Sequence, residues 1–175
     1  MKHLLTTLAS IAEEEDLPVL LIGGHAVTAL GHPRATFDVD LLIPRSAAPA
    51  WQAAVLQLNF QLFSTSDNFI QFEPKPDWPV PPLDLMLVDD AVFANLEASA
   101  IRQDPLPTPN ALSMIALKLH ARNQPGREAR EKDWEDIVGL IKSHELSLDS
   151  CDLQAIFTKH GSEGDITRIR EELGG

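Results

Sequence analysis

Asp38 and Asp40 stand two residues apart in the run Phe37-Asp38-Val39-Asp40-Leu41-Leu42-Ile43. Phe37, Val39, Leu41 and Ile43 are apolar, so the alternation predicts a strand from Phe37 to Ile43 with both carboxylates on its other face. On such a strand the two side chains start about 7 Å apart. Negative groups that close repel unless a cation lies between them, and carboxylate oxygens suit Mg²⁺. Asp84 lies in a second alternating run, Leu83 to Val88, with Leu83, Leu85 and Leu87 on one side. Three acids on the polar face of one sheet make a metal site of the kind phosphoryl transfer requires. Taken alone, an Asp-x-Asp pair is more often a solvated strand face, and order and spacing along the chain raise its weight.

Gly23-Gly24 follows the apolar run Val19-Leu20-Leu21-Ile22. Glycines at a strand end let the backbone approach a phosphate, although most Gly-Gly pairs are simple turns. Arg34 and Thr36 precede the aspartate strand and either touch a phosphate or order the Gly-Gly loop. Lys118 and Arg122 are four apart and share a helix face. That face either holds a triphosphate tail, Lys as a point charge and Arg as a fork, or is solvated. Asp133 and Asp136, with Lys132, read as surface ion pairing or interhelix bracing. His25 has no partner nucleophile and reads as a loop or packing residue. Ser64, Ser66 and Cys151 lack a base motif, and neither the Rossmann nor the P-loop pattern occurs.

The elements that must position these residues are legible as patterns. Leu4, Leu5, Leu8, Ile11 and Ala12 predict an amphipathic helix over residues 4–15, ended by Pro18. Short helices are predicted for 26–30 and 47–58, and strands for 60–63 and 69–72 about a turn at 64–68. The prolines from Pro74 to Pro82 force a loop, with Trp78 as an exposed contact. Asp89 or Asp90 can cap a helix running towards Ala100. Thr108-Pro109 predicts a helix start, with Leu112, Ile115, Ala116 and Leu119 on its apolar stripe. A charged helix follows from about Glu128, with Trp134, Ile137, Val138 and Ile141 inward, and one or two helices fill 152–173 around Gly161. The expected division is an α/β core over 1–104 and a helical portion over 105–175.

The chain has 175 residues, 26 acidic and 14 basic, for a net charge of −12. That suits a globular domain with a sizeable core. It disfavours a duplex-coating nucleic-acid binder, which needs a basic face, and leaves only the basic residues of 118–132 as a local cluster. One cysteine, Cys151, excludes an internal disulfide framework. Glu13-Glu14-Glu15-Asp16 interrupts any secretory h-region, and no apolar run reaches a membrane span, so a cytoplasmic soluble protein is expected.

The order strand, Gly-Gly, short helix, Asp-x-Asp strand and distant single-Asp strand resembles the nucleotidyltransferase superfamily with the polymerase-β-like core. Gly23-Gly24-His25-Ala26, Arg34-Ala35-Thr36 and Asp38-Val39-Asp40-Leu41-Leu42 are similar to segments of the minimal nucleotidyltransferases and the AbiEii-type toxins. Lys118-Leu119-His120-Ala121-Arg122 and Lys132-Asp133-Trp134-Glu135-Asp136 resemble helical blocks of those families, so the resemblance covers about residues 18–141. It implies a mixed sheet flanked by helices, with a helical carboxy-terminal portion. It also implies Mg²⁺-dependent transfer of an NMP from an NTP such as ATP to a hydroxyl. Asp38, Asp40 and Asp84 would be the catalytic and metal residues, and Gly23, Gly24, Arg34, Thr36, Lys118 and Arg122 the nucleotide-binding ones. The acceptor is expected to be a separate protein or small molecule, with nucleic acid disfavoured by charge. A non-catalytic antitoxin-like interaction module and a tRNA-modifying toxin are the alternatives.

Overall fold

Alternation of apolar side chains along β-strands leaves one face for a core and the other for polar groups, and the sheet of this protein has both. In a computed structural model, residues 2–103, 105–126, 128–162 and 164–174 are described. The elements run α1 (Lys2–Glu14), β1 (Leu20–Ile22), α2 (Gly23–Ala29), β2 (Val39–Pro44), a 3-10 turn (Arg45–Ala47), α3 (Ala48–Gln57), β3 (Phe60–Thr65), β4 (Phe69–Pro74), β5 (Leu83–Val88) and α4 (Asp90–Ala98). Four helices follow: α5 (Ala111–Arg122), α6 (Arg130–Ser143), α7 (Cys151–His160) and α8 (Asp165–Leu173). The chain divides into two compact units, residues 1–26 with 34–109 and residues 27–33 with 110–175. The helical unit thus recruits 27–33 from the amino-terminal half, and the other unit runs to Pro109.

The first unit holds a five-stranded mixed sheet in the order β1-β2-β5-β4-β3. Only β2 and β5 are parallel. Val39, Leu41 and Ile43 lie beside Leu83, Leu85 and Leu87, and all six are buried. Fully burying a side chain of this kind contributes about 1.5–3 kcal/mol. Trp51 of α3 is buried too, its indole Nε1–H donating to the Pro18 carbonyl at 3.1 Å.

The expected strand from Phe37 starts two residues late, at Val39. Val39 N–H donates to the Pro82 carbonyl at 3.0 Å, and Pro82 has no N–H to extend the ladder. β1 also stops pairing at Ile22 opposite Asp40. Phe37 therefore falls outside the sheet and is 75% exposed, not inward. Thr108 is likewise not the helix cap: its hydroxyl donates to the Leu21 carbonyl at 2.8 Å, and Leu21 N–H donates to Pro107 at 2.8 Å. Residues 107–108 so cover the free edge of β1. The cap of α5 is Asn110, which accepts from Ser113 N–H at 2.8 Å. Trp78 in the proline loop is half-buried, edge-on to Phe60 with centroids 5.0 Å apart, so it is a packing residue and not an exposed contact.

In the helical unit, Ile115, Leu119, Trp134, Ile137 and Ile141 are buried as the helical spacing predicts. Leu112, Ala116 and Val138 are only partly buried, and Ala111, Met114 and Leu140 are buried in addition. Residues 30–32 are held by α6 and the residue that follows it. His144 Nε2 donates to Leu30 O at 2.7 Å, Ser143 Oγ donates to Gly31 O at 3.0 Å, and the His32 ring fills the space a Cβ on Gly139 would need.

Candidate active site

Register carries two of the three candidate carboxylates to one place. Asp40 on β2 is directly opposite Asp84 on β5, and Asp84 is opposite Gln71 on β4. Side chains of in-register neighbours point to the same sheet face, with strands about 4.8 Å apart. Gln71 in turn faces Ser64 of β3, because a bulge between Leu62 and Ser64 shifts the pairing by one residue. One polar row therefore crosses four strands, back to back with the leucine core.

Asp38 lies just before β2, where the Thr36 hydroxyl donates to its Oδ1 at 3.0 Å. Burial raises the pKa of Asp84 above its ordinary value; the Gln71 hydrogen bond opposes that, and the negative charge of Asp38 adds to it. Asp38 is thus near enough for its charge to act on Asp84. Gly23, at φ +65°, sits so close to Asp40 that a Cβ would collide with the carboxylate. Gly24 has Thr36 and the Arg34 guanidinium where its Cβ would be. The glycines of the strand end thereby serve a double close approach, to Asp40 on one side and to the 34–36 segment on the other. Of the two roles open to Arg34 and Thr36, ordering this turn is the one their packing displays.

Among the described residues, no three acidic, histidine or cysteine side chains converge as they stand into a group that could hold a metal ion. By ligand type the residues suit a hard divalent cation, since Mg²⁺ takes oxygen ligands: Asp40 and Asp84 are in-register neighbours, and the charge of Asp38 acts on Asp84. His25, next to the glycines, is half-buried, and its Nε2 is buried without a hydrogen-bond partner among the described residues. Burial lowers its pKa and so favours the neutral imidazole, against an opposing pull from Asp38.

Lys118 and Arg122 belong to the helical unit and are occupied there. Lys118 Nζ lies 3.0 Å from Asp133 Oδ1 and 2.7 Å from Asp136 Oδ2, with the three side chains 10%, 1% and 0% exposed. Interhelix bracing, not surface pairing, describes Asp133 and Asp136. Arg122 Nη1 pairs with Asp165 Oδ1 at 2.8 Å, and the Arg122 Cζ lies over the Trp134 ring, 4.8 Å from its centroid. Arg168 stacks on Trp134 as well, at 4.5 Å. Within the expected basic cluster 118–132, Lys132 is exposed, and Arg127 lies outside the described residues.

Gln71 is the site-row residue that motif reading missed. Its only signal was a polar residue within the apolar strand run Phe69-Ile70-Gln71-Phe72, and which residue it faces depends on strand register.

No protein-family model matches the sequence, and no curated protein matches it. Solved structures do. The solution structure of the antibiotic-resistance factor ANT(2'')-Ia matches with a TM-score of 0.67 at 18% identity, covering 98% of this chain and 93% of that one. An antigenic nucleotidyltransferase-like protein from Paracoccidioides brasiliensis matches with 0.60 at 17%, covering 99% and 89%. The lincosamide antibiotic adenylyltransferase LnuA, lincomycin-bound, matches with 0.56 at 14%, covering 76% and 91%. The fold is nucleotidyltransferase-like, and these structural neighbours are nucleotidyltransferases or carry that description. Among the described residues, no helix is long and apolar enough to cross a membrane.

Proposed function

We propose that the chain is a metal-dependent nucleotidyltransferase that moves a nucleoside monophosphate from an NTP to a hydroxyl acceptor. One observation carries the proposal: Asp40 and Asp84 are in-register neighbours on one sheet face. The charge of Asp38 acting on Asp84 and the Gly23 backbone pressed on Asp40 support it. A sheet spends buried area on such a like-charged group at a cost, and the cost is usual at catalytic sites. In the reaction, the acceptor oxygen bonds to the α-phosphorus, the bond to the bridging oxygen of the β-phosphate breaks, and pyrophosphate leaves. Asp84, whose carboxylate burial makes more basic, takes the hydroxyl proton. Asp38 and Asp40 would hold Mg²⁺, which when bound supplies positive charge against the triphosphate. Gly23 and Gly24 offer the backbone approach for phosphate, beside Arg34 and Thr36. We assign Lys118 and Arg122 to bracing the helical unit, since each already faces buried carboxylate.

The acceptor we favour is a separate small molecule. Adenylyl-2"-tobramycin is bound in a crystal structure of ANT(2")-Ia, which matches here with a TM-score of 0.63 and 98% of each chain covered. A net charge of −12 and two basic residues already paired with acids leave little surface for RNA phosphates. The Gly23-Gly24-His25-Ala26 and Asp38-Val39-Asp40 wording supports the minimal, AbiEii-like branch. The test is to incubate the protein with each α-labelled NTP, Mg²⁺ and a metabolite extract. Metal-dependent transfer of label to a small molecule, lost in Asp38→Asn and Asp84→Asn, is the expected result. If calorimetry detects no Mg²⁺-dependent NTP binding and no label moves, the reading fails in favour of a non-catalytic interaction module. Label on RNA would replace the small-molecule acceptor with a nucleic acid.

A further inference from the structure

Gln71 occupies the place in the polar row next to Asp84, on the side away from Asp40. Its amide Nε2 donates to Asp84 Oδ2 at 3.1 Å. The amide orientation is settled by its partner, because a carboxylate oxygen can only accept and the Gln oxygen would repel it. This is the hydrogen bond that Asp84 makes to a side chain among the described residues. Both groups are part-buried, so water competes for the contact less than on an open surface.

We propose that Gln71 is a positioning residue: it holds Oδ2 of Asp84 and thereby directs the other oxygen towards the metal and the acceptor hydroxyl. The proposal rests on the nucleotidyltransferase reading above. The residue type is informative. An Arg or Lys beside Asp84 would neutralise it and compete with a cation, and an acid would add a further negative charge to Asp38, Asp40 and Asp84. A neutral amide restrains the carboxylate while leaving its charge available. The location is informative too. β4 donates Gln71 from the opposite side to β2, so Asp84 is clamped between its metal-site neighbour and a donor that cannot itself bind Mg²⁺ through nitrogen. Outer-shell partners of ligating carboxylates commonly have this arrangement.

The experiment uses Mn²⁺ as the probe, read by electron paramagnetic resonance with a non-hydrolysable ATP analogue, alongside steady-state transfer kinetics. Gln71→Leu keeps the volume and removes the donor. It is expected to weaken Mn²⁺ binding and to lower kcat, each about 10- to 100-fold, with KM for the NTP within about two-fold. In an Asp84→Asn background the same change should have no further effect on Mn²⁺ binding, because the group being positioned is gone. Gln71→Met, unbranched like Gln and without a donor, should be impaired as much as Gln71→Leu, and it carries the test if the Leu variant does not fold. Unchanged Mn²⁺ affinity and kcat in a folded Gln71 variant would overturn the proposal. So would an equal loss with and without Asp84, which would mark a merely structural role, or a rise in KM alone. Failure of the wild-type protein to bind Mn²⁺ and nucleotide would instead overturn the underlying reading.

Discussion

Replacing Lys118 by Met tests the helical unit most sharply, because the substitution keeps the length and apolar stem of the side chain and removes only its charge. Lys118 Nζ sits 2.7 Å from Asp136 and 3.0 Å from Asp133, and both carboxylates are all but inaccessible to water. Without the ammonium, two negative groups remain buried and face one another. Removing one member of a buried ion pair costs about 3–5 kcal/mol. A typical domain has about 5–15 kcal/mol in total, so this is a large share. For a chain of this size the melting temperature should fall by roughly 6–20 °C. Urea denaturation followed by far-ultraviolet circular dichroism measures it, with Lys132→Met on the exposed face of α6 as the control, expected within about 0.5 kcal/mol of wild type. Adding Asp133→Leu and Asp136→Leu to Lys118→Met should recover most of the loss, because a buried ion pair replaced whole by apolar side chains is often neutral in stability. A Lys118→Met midpoint equal to that of Lys132→Met would refute the reasoning and free Lys118 for a phosphate.

Asp84→Asn should abolish transfer yet make the metal-free protein more resistant to urea at pH 7. Burial, with the charge of Asp38, holds the Asp84 carboxyl above its ordinary 3.8, so its favourable contribution is full below 3.8 and is lost as pH rises through the folded-state value. The advantage of the Asn variant should accordingly vanish when both proteins are unfolded below pH 3.8. Gly23→Ala should cost about 1–2 kcal/mol for left-handed backbone alone, and should lower transfer further by displacing the Asp40 carboxylate; a folded variant with wild-type activity would count against the close approach. Gly139→Ala drives a methyl into the His32 ring and should destabilise the helical unit by about 1–3 kcal/mol in denaturant titration, without altering the kcat of the folded fraction.

The local patterns were readable because they depend on spacing along the chain. Alternation placed Leu83–Val88 as a strand, and helical periodicity put Trp134, Ile137 and Ile141 on a buried stripe. Motif order pointed to a nucleotidyltransferase-like fold, which the structural neighbours share. Asp38, Asp40 and Asp84 could be named because each interrupts an apolar run on its polar side.

What the sequence left open was decided by partners distant along the chain. Phe37 follows the strand alternation, but Pro82 offers no N–H and β1 is too short, so the strand begins at Val39. Thr108 has the chemistry of a helix cap and is instead used by the edge of β1, which passes the cap to Asn110. Lys118 has the same charge whether it meets a phosphate or a carboxylate; only the packing of α6 on α5 brings Asp133 and Asp136 to its ammonium. Gln71 carries no motif at all. Its place beside Asp84 comes from antiparallel register, and a one-residue slip of β4 would turn its side chain to the opposite face of the sheet.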